Sequence, residues 1–518
     1  MHKEARETAL IITGITLLCK VAGLLKNTAL AYFFGADVVV DAYVMVFSIS
    51  SVLFGWMGGF IGNFTPHYKK ICVEEGKERA DLFTSNLCAW LILIGGVCTI
   101  LFELFSTKIV QLAAPGFRGE VLNLTIGFWR VLSISMVFGV IYRLYKEYLN
   151  CNGRHIRALV PDLLMSSIIL IVIVLSSCIG KGLLIWGYVA AIGVEALIEL
   201  LMAKKYFCKT TFGLQLSFDN NVREIFVSFL PIFFAEAMTE INIFVDKIFA
   251  SFLEEGSIAI LDYANIIRVS LFEVGALALL TMIYPRIAEM WSRGETQEFC
   301  SSIQKSIVLM AIFFIPITLG IIYMGDRLIS IIYEHGFFTS KETEMTSVAL
   351  QMYAIGLLSM VIRLIVNRAL LSMHKPKALF IINTINVIVN TVLNAILVRK
   401  MGYVGLALAT SLSATFTAIC LLVLIKIQLK EFNISQLLWS FVRVLFASII
   451  MLASIVMMRN IIFTHIFARF PAGLDLLICT CLGGLVYVVV MKKVNPDEFS
   501  YYMNGLGRIK RLGRDKYE

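Results

Sequence analysis

Apolar stretches of about twenty residues or more alternate with short polar connections along the whole chain. A helix needs about 20 apolar residues to cross a hydrocarbon layer about 30 Å thick. The pattern predicts fourteen such helices, near 8–34, 40–63, 82–105, 121–148, 158–178, 182–203, 223–252, 258–284, 303–332, 344–372, 378–399, 404–428, 436–459 and 472–492. All are read as helices, because lipid offers no water to unpaired backbone groups. The first stretch is no cleaved leader: it is too long, it holds Lys20 and Lys26, and no small-residue cleavage site follows it.

Twelve of these helices read as one six-helix unit written twice. Asp41-Ala42-Tyr43 is matched by Asp262-Tyr263-Ala264. Pro66 recurs as Pro285, 219 positions on, and Gly116-Phe117 recurs as Gly336-Phe337, 220 on. Tyr142-Arg143-Leu144 recurs as Ile362-Arg363-Leu364, again 220 on. An even number of helices per repeat keeps both copies in the same orientation, with a pseudo-two-fold axis along the membrane normal and a path between the halves. The expected organisation is all-α: an N-lobe over 1–215 (helices 1–6), a C-lobe over 216–430 (helices 7–12), helices 13–14 over 431–495, and a basic tail over 496–518.

Composition agrees with a bilayer as solvent. The 518 residues are 59% hydrophobic and 16% charged, with mean hydropathy +0.84. Soluble domains average about 25% charged residues. Most of the +9 net charge is topological. Inner connections hold Lys69, Lys70, Arg154, Arg157, Lys204 and Lys205, and the tail adds Lys510 and Arg511; the outer loops hold few, Arg327 and Arg459 among them. This asymmetry predicts both termini in the cytoplasm, with the tail resting on anionic headgroups. It does not call for nucleic acid. The eleven cysteines show no disulfide or zinc spacing. No GxxxxGK phosphate loop is present, so the chain is not expected to hydrolyse ATP or to be an enzyme.

Charges inside the helices carry the chemistry. Each costs on the order of 2.5–3.5 kcal/mol at the bilayer centre and usually faces a bundle interior or a wet cavity. Lys20 and Lys26 lie within helix 1, about 120° apart. Arg143 has Glu147 four residues on, close enough to pair along the helix. Arg363 has no acid at that spacing. A mid-helix arginine recurring at the repeat offset points to anion binding, because the guanidinium fork can hold phosphate oxygens in pairs. Helix 7 carries Glu236, Glu240 and Lys247 on one face and Asp246 off it; helix 8 adds Arg268 and Glu273, and helix 6 adds Glu195 and Glu199. This set reads either as ion coupling or as a charge network between helices. Asn390 and Asn394 on helix 11, with Thr410 on helix 12, offer oxygens for a monovalent cation with Asp246 as its charge, or simple hydrogen bonds between helices.

The chain resembles the MurJ (MviN) lipid II flippases of the multidrug/oligosaccharidyl-lipid/polysaccharide exporter superfamily. The residues that carry the resemblance are Lys20-Val21-Ala22-Gly23-Leu24-Leu25-Lys26, Asp41-Ala42-Tyr43, Ala114-Pro115-Gly116-Phe117, Val245-Asp246-Lys247, Tyr263-Ala264-Asn265, Ile315-Pro316-Ile317-Thr318, Glu334-His335-Gly336-Phe337 and the run Gly405 to Thr410. The resemblance implies two lobes around a cationic cavity and a groove on the last two helices for a polyprenyl tail. It implies a flippase that turns undecaprenyl-pyrophosphate-linked peptidoglycan precursor from the inner to the outer leaflet of a bacterial plasma membrane. It implies no cofactor beyond sodium or membrane-potential coupling, and membrane lipids and cell-wall synthesis proteins as partners.

The resemblance implies Lys20 and Lys26, with Arg268 near the family's position, in the pyrophosphate-binding set; Arg363 and Arg143 join it from the repeat, and the family's helix-2 arginine is absent from Ser51-Val52-Leu53-Phe54. Asn27, Asp41, Glu240 and Asn367 are expected on the cavity wall; Asp246, Asn390 and Thr410 match the sodium pattern, and Asn394 completes the possible sodium site. Lys20 and Lys26 stand where the family has arginines, Asn27 where many members have an acid, and Asn394 where some have an aspartate. Arg268 lies two residues beyond the usual position, which is Ile266 here. These departures keep open a flippase for another lipid-linked oligosaccharide, such as a capsule or exopolysaccharide unit. More distant alternatives are a cation-coupled multidrug antiporter and a membrane scaffold that transports nothing.

Overall fold

The computed structural model describes residues 2–208, 211–213, 216–282, 284–460 and 472–495. The basic tail over 496–518 lies outside the described residues. Among these, every element is a helix: α1 (His2–Phe34), α2 (Val38–Leu53), α3 (Trp56–Glu74), α4 (Lys77–Leu104), α5 (Ser106–Ala113), α6 (Gly119–Cys151), α7 (His155–Ile179), α8 (Gly182–Lys204), α9 (Asn220–Ala250), α10 (Ser257–Met282), α11 (Tyr284–Ser292), α12 (Thr296–Tyr333), α13 (Ser340–Ala354), α14 (Leu357–Ser372), α15 (Pro376–Gln428), α16 (Ile434–Met458) and α17 (Ala472–Val494). Nine are long and apolar enough to cross a membrane, or eleven when each bent pair counts as one crossing.

Each of the fourteen predicted stretches falls on helix, but several are broken. The second is α2 and α3, bent by 50°, and the tenth is α13 and α14, bent by 41°. The eleventh and twelfth run together in α15, interrupted at Gly402 with φ 58° and ψ −135°. Short α5 and α11 are additional. At the first break the Gly55 amide turns to Val52 O (3.3 Å) and the Met57 amide to Phe54 O (3.0 Å), a local tightening to three-residue bonds. At the second, the Gly356 amide bonds Tyr353 O (3.1 Å), leaving Met352 O to accept from the Ser411 hydroxyl of α15 at 2.7 Å. A side chain thus satisfies a carbonyl that lipid could not.

The chain divides into two compact units. Unit 1 holds residues 1–262 with 335–339, and unit 2 holds 263–334 and 340–518. In unit 1, α1 packs on α7, α6 packs on α2, α4 and α8, and α9 lies along α3. Its core is aromatic: Phe60 stacks on Phe229 with centroids 4.3 Å apart, and Phe64, Phe83 and Tyr148 are fully buried. Buried Asp81 is satisfied by the Tyr68 and Tyr148 hydroxyls (3.1 and 2.9 Å) and the Cys208 amide (3.0 Å).

In unit 2, α12 packs on α13, α14, α16 and α17, and α14 packs on α15. The Tyr487 hydroxyl donates to Ile312 O at 2.7 Å. Arg327 and Arg459, read from sequence as outer-loop charges, both lie 3.8 Å from the Asp475 carboxylate, and Arg459 also reaches Asp326 at 3.9 Å. They therefore tie α16 and α17 to α12.

Candidate functional site

Unit 1 holds a partly open cavity of about 530 Å³ at the break between α2 and α3. Its wall is formed by Ser50, Ser51 and Gly55 from the broken helix, Tyr142 and Arg143 from α6, Tyr188 from α8 and Glu240 from α9. The break explains the cavity: the turn at Gly55 opens space that a continuous helix would fill. The glycine cluster Gly55, Gly58 and Gly59 is the sequence signal for it, and Gly59 is where α9 presses closest, since an added Cβ would lie 3.2 Å from the Phe229 ring.

Arg143 does not pair with Glu147, contrary to the spacing argument. Its Nε donates to the Tyr142 hydroxyl at 3.0 Å, and its guanidinium faces the cavity. Glu147 instead accepts from Thr65 and Asn150, both at 3.3 Å. The two side chains leave α6 in different directions, and Glu147 has neutral donors at hand on its own side. Arg143 is thus not neutralised along its own helix.

Asp41, expected on the cavity wall, is instead a helix cap. It is 2% exposed, and its two oxygens accept from the Gly256 amide (2.6 Å) and the Ala259 amide (2.8 Å) at the start of α10. Those amides have no partner within their own helix, and a carboxylate there also meets the positive end of the helix dipole. Nearby, Lys247 is 8% exposed and pairs with Asp262 at 3.1 Å. Lys26, half-buried in α1, lies within electrostatic reach of the same Asp262. Lys20 is exposed, and Asn27 and Asp246 are half-buried.

Two glycines related by the sequence repeat close the same end of unit 1. A Cβ on Gly116 would lie 2.2 Å from Ser251 O, just after α9, and the Gly116 amide donates to the Ser251 hydroxyl at 3.2 Å. A Cβ on Gly336 would lie 2.3 Å from Tyr32 O near the end of α1, and the Phe337 amide donates to that oxygen at 2.9 Å.

In unit 2, Arg268 donates to Asn265 Oδ1 at 2.5 Å, and its guanidinium carbon lies 4.6 Å from the Tyr353 ring centre. Arg363, half-buried on α14, is within electrostatic reach of Arg268. Among the described residues it forms no ion pair. Two like charges held together away from bulk water repel each other, and an anion with several oxygens would relieve that repulsion. One turn on, buried Asn367 Oδ1 has no hydrogen-bond partner among the described residues. Sequence reasoning found both arginines and missed Tyr353, whose place depends on the break at Gly356.

Two asparagines of α15 bond across to its second half, and a third bonds within the first half. The Thr417 hydroxyl donates to Asn386 Oδ1 (2.7 Å), Asn390 Nδ2 to Ser413 Oγ (3.3 Å), and Asn394 Nδ2 to Asn390 Oδ1 (2.9 Å). The Thr410 hydroxyl donates to Leu406 O at 3.0 Å. Asn390 and Asn394 are fully buried. The Asn390 amide reaches across to the second half, and the Asn394 amide bonds Asn390 within the first. Among the described residues no group of three or more His, Cys, Asp or Glu is placed to hold a metal ion.

The family profile described as "Lipid II flippase MurJ" matches residues 30–474. A probable lipid II flippase MurJ of Thermotoga maritima is 26% identical over 497 residues, covering 93% of this chain and 95% of that protein. One of Rickettsia prowazekii is 22% identical over 418 residues, covering 79% and 81%. Among solved structures, a lipid II flippase MurJ in an inward closed conformation superposes with TM-score 0.80 at 24% identity, covering 94% of this chain and 99% of that one. An inward-facing MATE-family multidrug resistance transporter of the MOP superfamily superposes with TM-score 0.69 at 13% identity, covering 82% and 99%. At these identities the structural likeness shows the shared fold. The profile spans most of the sequence, and the chain, an all-α multi-pass membrane protein, belongs to the lipid II flippase MurJ family.

Proposed function

We propose that this chain turns undecaprenyl-pyrophosphate-linked peptidoglycan precursor, lipid II, from the inner to the outer leaflet by alternating access. The observation that carries the reading is Arg363, half-buried within a helix, without an ion pair among the described residues, and within electrostatic reach of Arg268. A pyrophosphate fits such a pair, because each guanidinium can donate two parallel hydrogen bonds to its oxygens. Unit 1 offers the same chemistry at Arg143, which faces a cavity with hydroxyls around it. Lys20 and Lys26 would add point charges. The relatives named as probable lipid II flippases favour this cargo over other lipid-linked oligosaccharides.

The exposed apolar residues of α16, Leu438, Trp439, Val442 and Phe446 among them, suit a polyprenyl chain or lipid. Both termini are assigned to the cytoplasm from the excess of lysine and arginine in alternate connections. Sodium or the membrane potential is the proposed energy source, and cell-wall synthesis proteins are the proposed partners. No covalent step is assigned to the chain, which acts as a transporter and not as an enzyme.

The test is reconstitution. Purified protein in vesicles loaded with lipid II should move it between leaflets. Arg363→Ala should slow movement about 10-fold or more, the scale of a charged hydrogen bond worth about 1.5–3 kcal/mol. Movement of a different lipid-linked oligosaccharide, with lipid II left in place, would transfer the assignment to that cargo.

A further inference from the structure

Next to the cavity of unit 1, on the same faces of α6 and α8, lies a cluster of carboxyl groups that the transport reading does not use. On α6 the cavity residues Ser135, Gly139 and Tyr142 are followed on the same face by Lys146. On α8 Tyr188 and Ile192 are followed by Glu195 and Glu199. From α7 comes Asp162, beside Pro161. Lys146 Nζ lies 2.7 and 2.6 Å from the two Asp162 oxygens. Asp162 lies within electrostatic reach of both Glu195 and Glu199, so three carboxyl groups gather around Lys146.

Glu199 is the most exacting member. It is 0% exposed, and among the described residues neither of its oxygens has a hydrogen-bond partner; Glu195 is 2% exposed, and its Oε2 likewise has none among them. The groups that face this pair are Arg143 and Lys146 from α6, Asp162 from α7 and Tyr188 from α8; Tyr142 lies within reach of Lys146, and Cys19 from α1 lies across Asp162 and Lys146. Lys146 is already neutralised by Asp162, and Arg143 bonds Tyr142 and faces the cavity. Two carboxyl groups therefore remain for the distant charge of Arg143. A buried carboxylate without donors is far less stable than the same group protonated. A metal ion is the poorer occupant, since the described residues offer no metal-binding arrangement.

We propose that Glu195 and Glu199 form a proton-binding site, exchanging with water through the Asp162–Lys146 pair. That pair is 28% and 24% exposed, whereas the glutamates are closed off. Lys146, Asp162 and Glu199 lie five to seven residues from the ends of their helices, about 8–10 Å along the axis. Loading consumes one proton and turns one carboxylate into a carboxylic acid. The link to cargo rests on reading the cavity as an anion site. An anion on Arg143 would cancel the positive potential that favours ionised Glu195, so the proton would bind more tightly. By reciprocity the proton would strengthen anion binding by the same factor.

The experiment is infrared difference spectroscopy of the full chain in lipid nanodiscs. Wild type, Glu199→Gln and Glu195→Gln are titrated with and without inorganic pyrophosphate. The expected result is a buried protonated-carboxyl band in wild type at neutral pH that shifts in deuterated water and weakens in either variant. The wild-type shift alone keeps the test informative where a variant does not fold. An equal band in wild type and both variants overturns the proposal, as does loss of the band on adding sodium at constant pH, which would make this a sodium site. Pyrophosphate binding that leaves the band unchanged removes the link to cargo and spares the cavity reading. A band without pyrophosphate binding removes the cavity reading and spares the proton site.

Discussion

Arg268 lies over the ring of Tyr353, its guanidinium carbon 4.6 Å from the ring centre. The stack orients the arginine that shares its surroundings with Arg363. A cation–π contact is worth about 0.5–2 kcal/mol. Tyr353→Leu should therefore weaken binding of pyrophosphate about 2- to 30-fold, and Arg268→Ala should weaken it at least as much. Calorimetric titration of the purified protein checks both. Equal affinity in wild type and Tyr353→Leu would show that the ring does not position the charge.

The two repeat glycines make a sharper mechanical prediction. Gly116→Ala and Gly336→Ala should each lower the unfolding temperature, because the added Cβ meets backbone at 2.2 and 2.3 Å. Gly336→Ala adds the strain of a φ of 63°. Gly127→Ala is the control, since nothing lies within 4 Å of its Cβ position. Similar thermal shifts in all three would contradict the close packing described at Ser251 and Tyr32.

How much of this was legible in sequence differs residue by residue. Gly116 and Gly336 were visible as a pair because the repeat offset is a one-dimensional signal. Their contact atoms were not, since a backbone carbonyl leaves no mark in sequence. The breaks at Gly55 and Gly356 were hidden because a hydropathy window averages across one turn. Arg143 and Glu147 misled because spacing shows which residues can meet and says nothing of the other partners, Tyr142, Thr65 and Asn150, that the fold sets beside them. Glu199 was visible as a charge in an apolar stretch, but its lack of donors depends on what α6 and α7 place around it.

Asp41 should behave as a structural cap. Removing it strands two buried amide groups, at about 1–3 kcal/mol for an unsatisfied buried donor. Asp41→Ala should lower the unfolding temperature more than Asp41→Asn, which keeps one acceptor. Hydrogen exchange at Gly256 and Ala259 should rise in Asp41→Ala. Unchanged protection there would contradict the capping geometry.

Arg143 and Glu147 separate two accounts of α6. Arg143→Ala should slow lipid movement in vesicles by about 10-fold or more, on the scale of a lost charged hydrogen bond. Glu147→Gln should leave it within about twofold, because its partners Thr65 and Asn150 can bond an amide. Equal losses in both variants would restore the ion pair that the geometry separates.

The most direct test of the central claim is replacement in a living cell. The chain is expressed in a bacterium depleted of its own lipid II flippase, its insertion is confirmed, and lipid II is measured on the outer leaflet. The account predicts that exposure is restored by the native chain and lost with Arg363→Ala. Well-inserted native protein that leaves lipid II on the inner leaflet would contradict it.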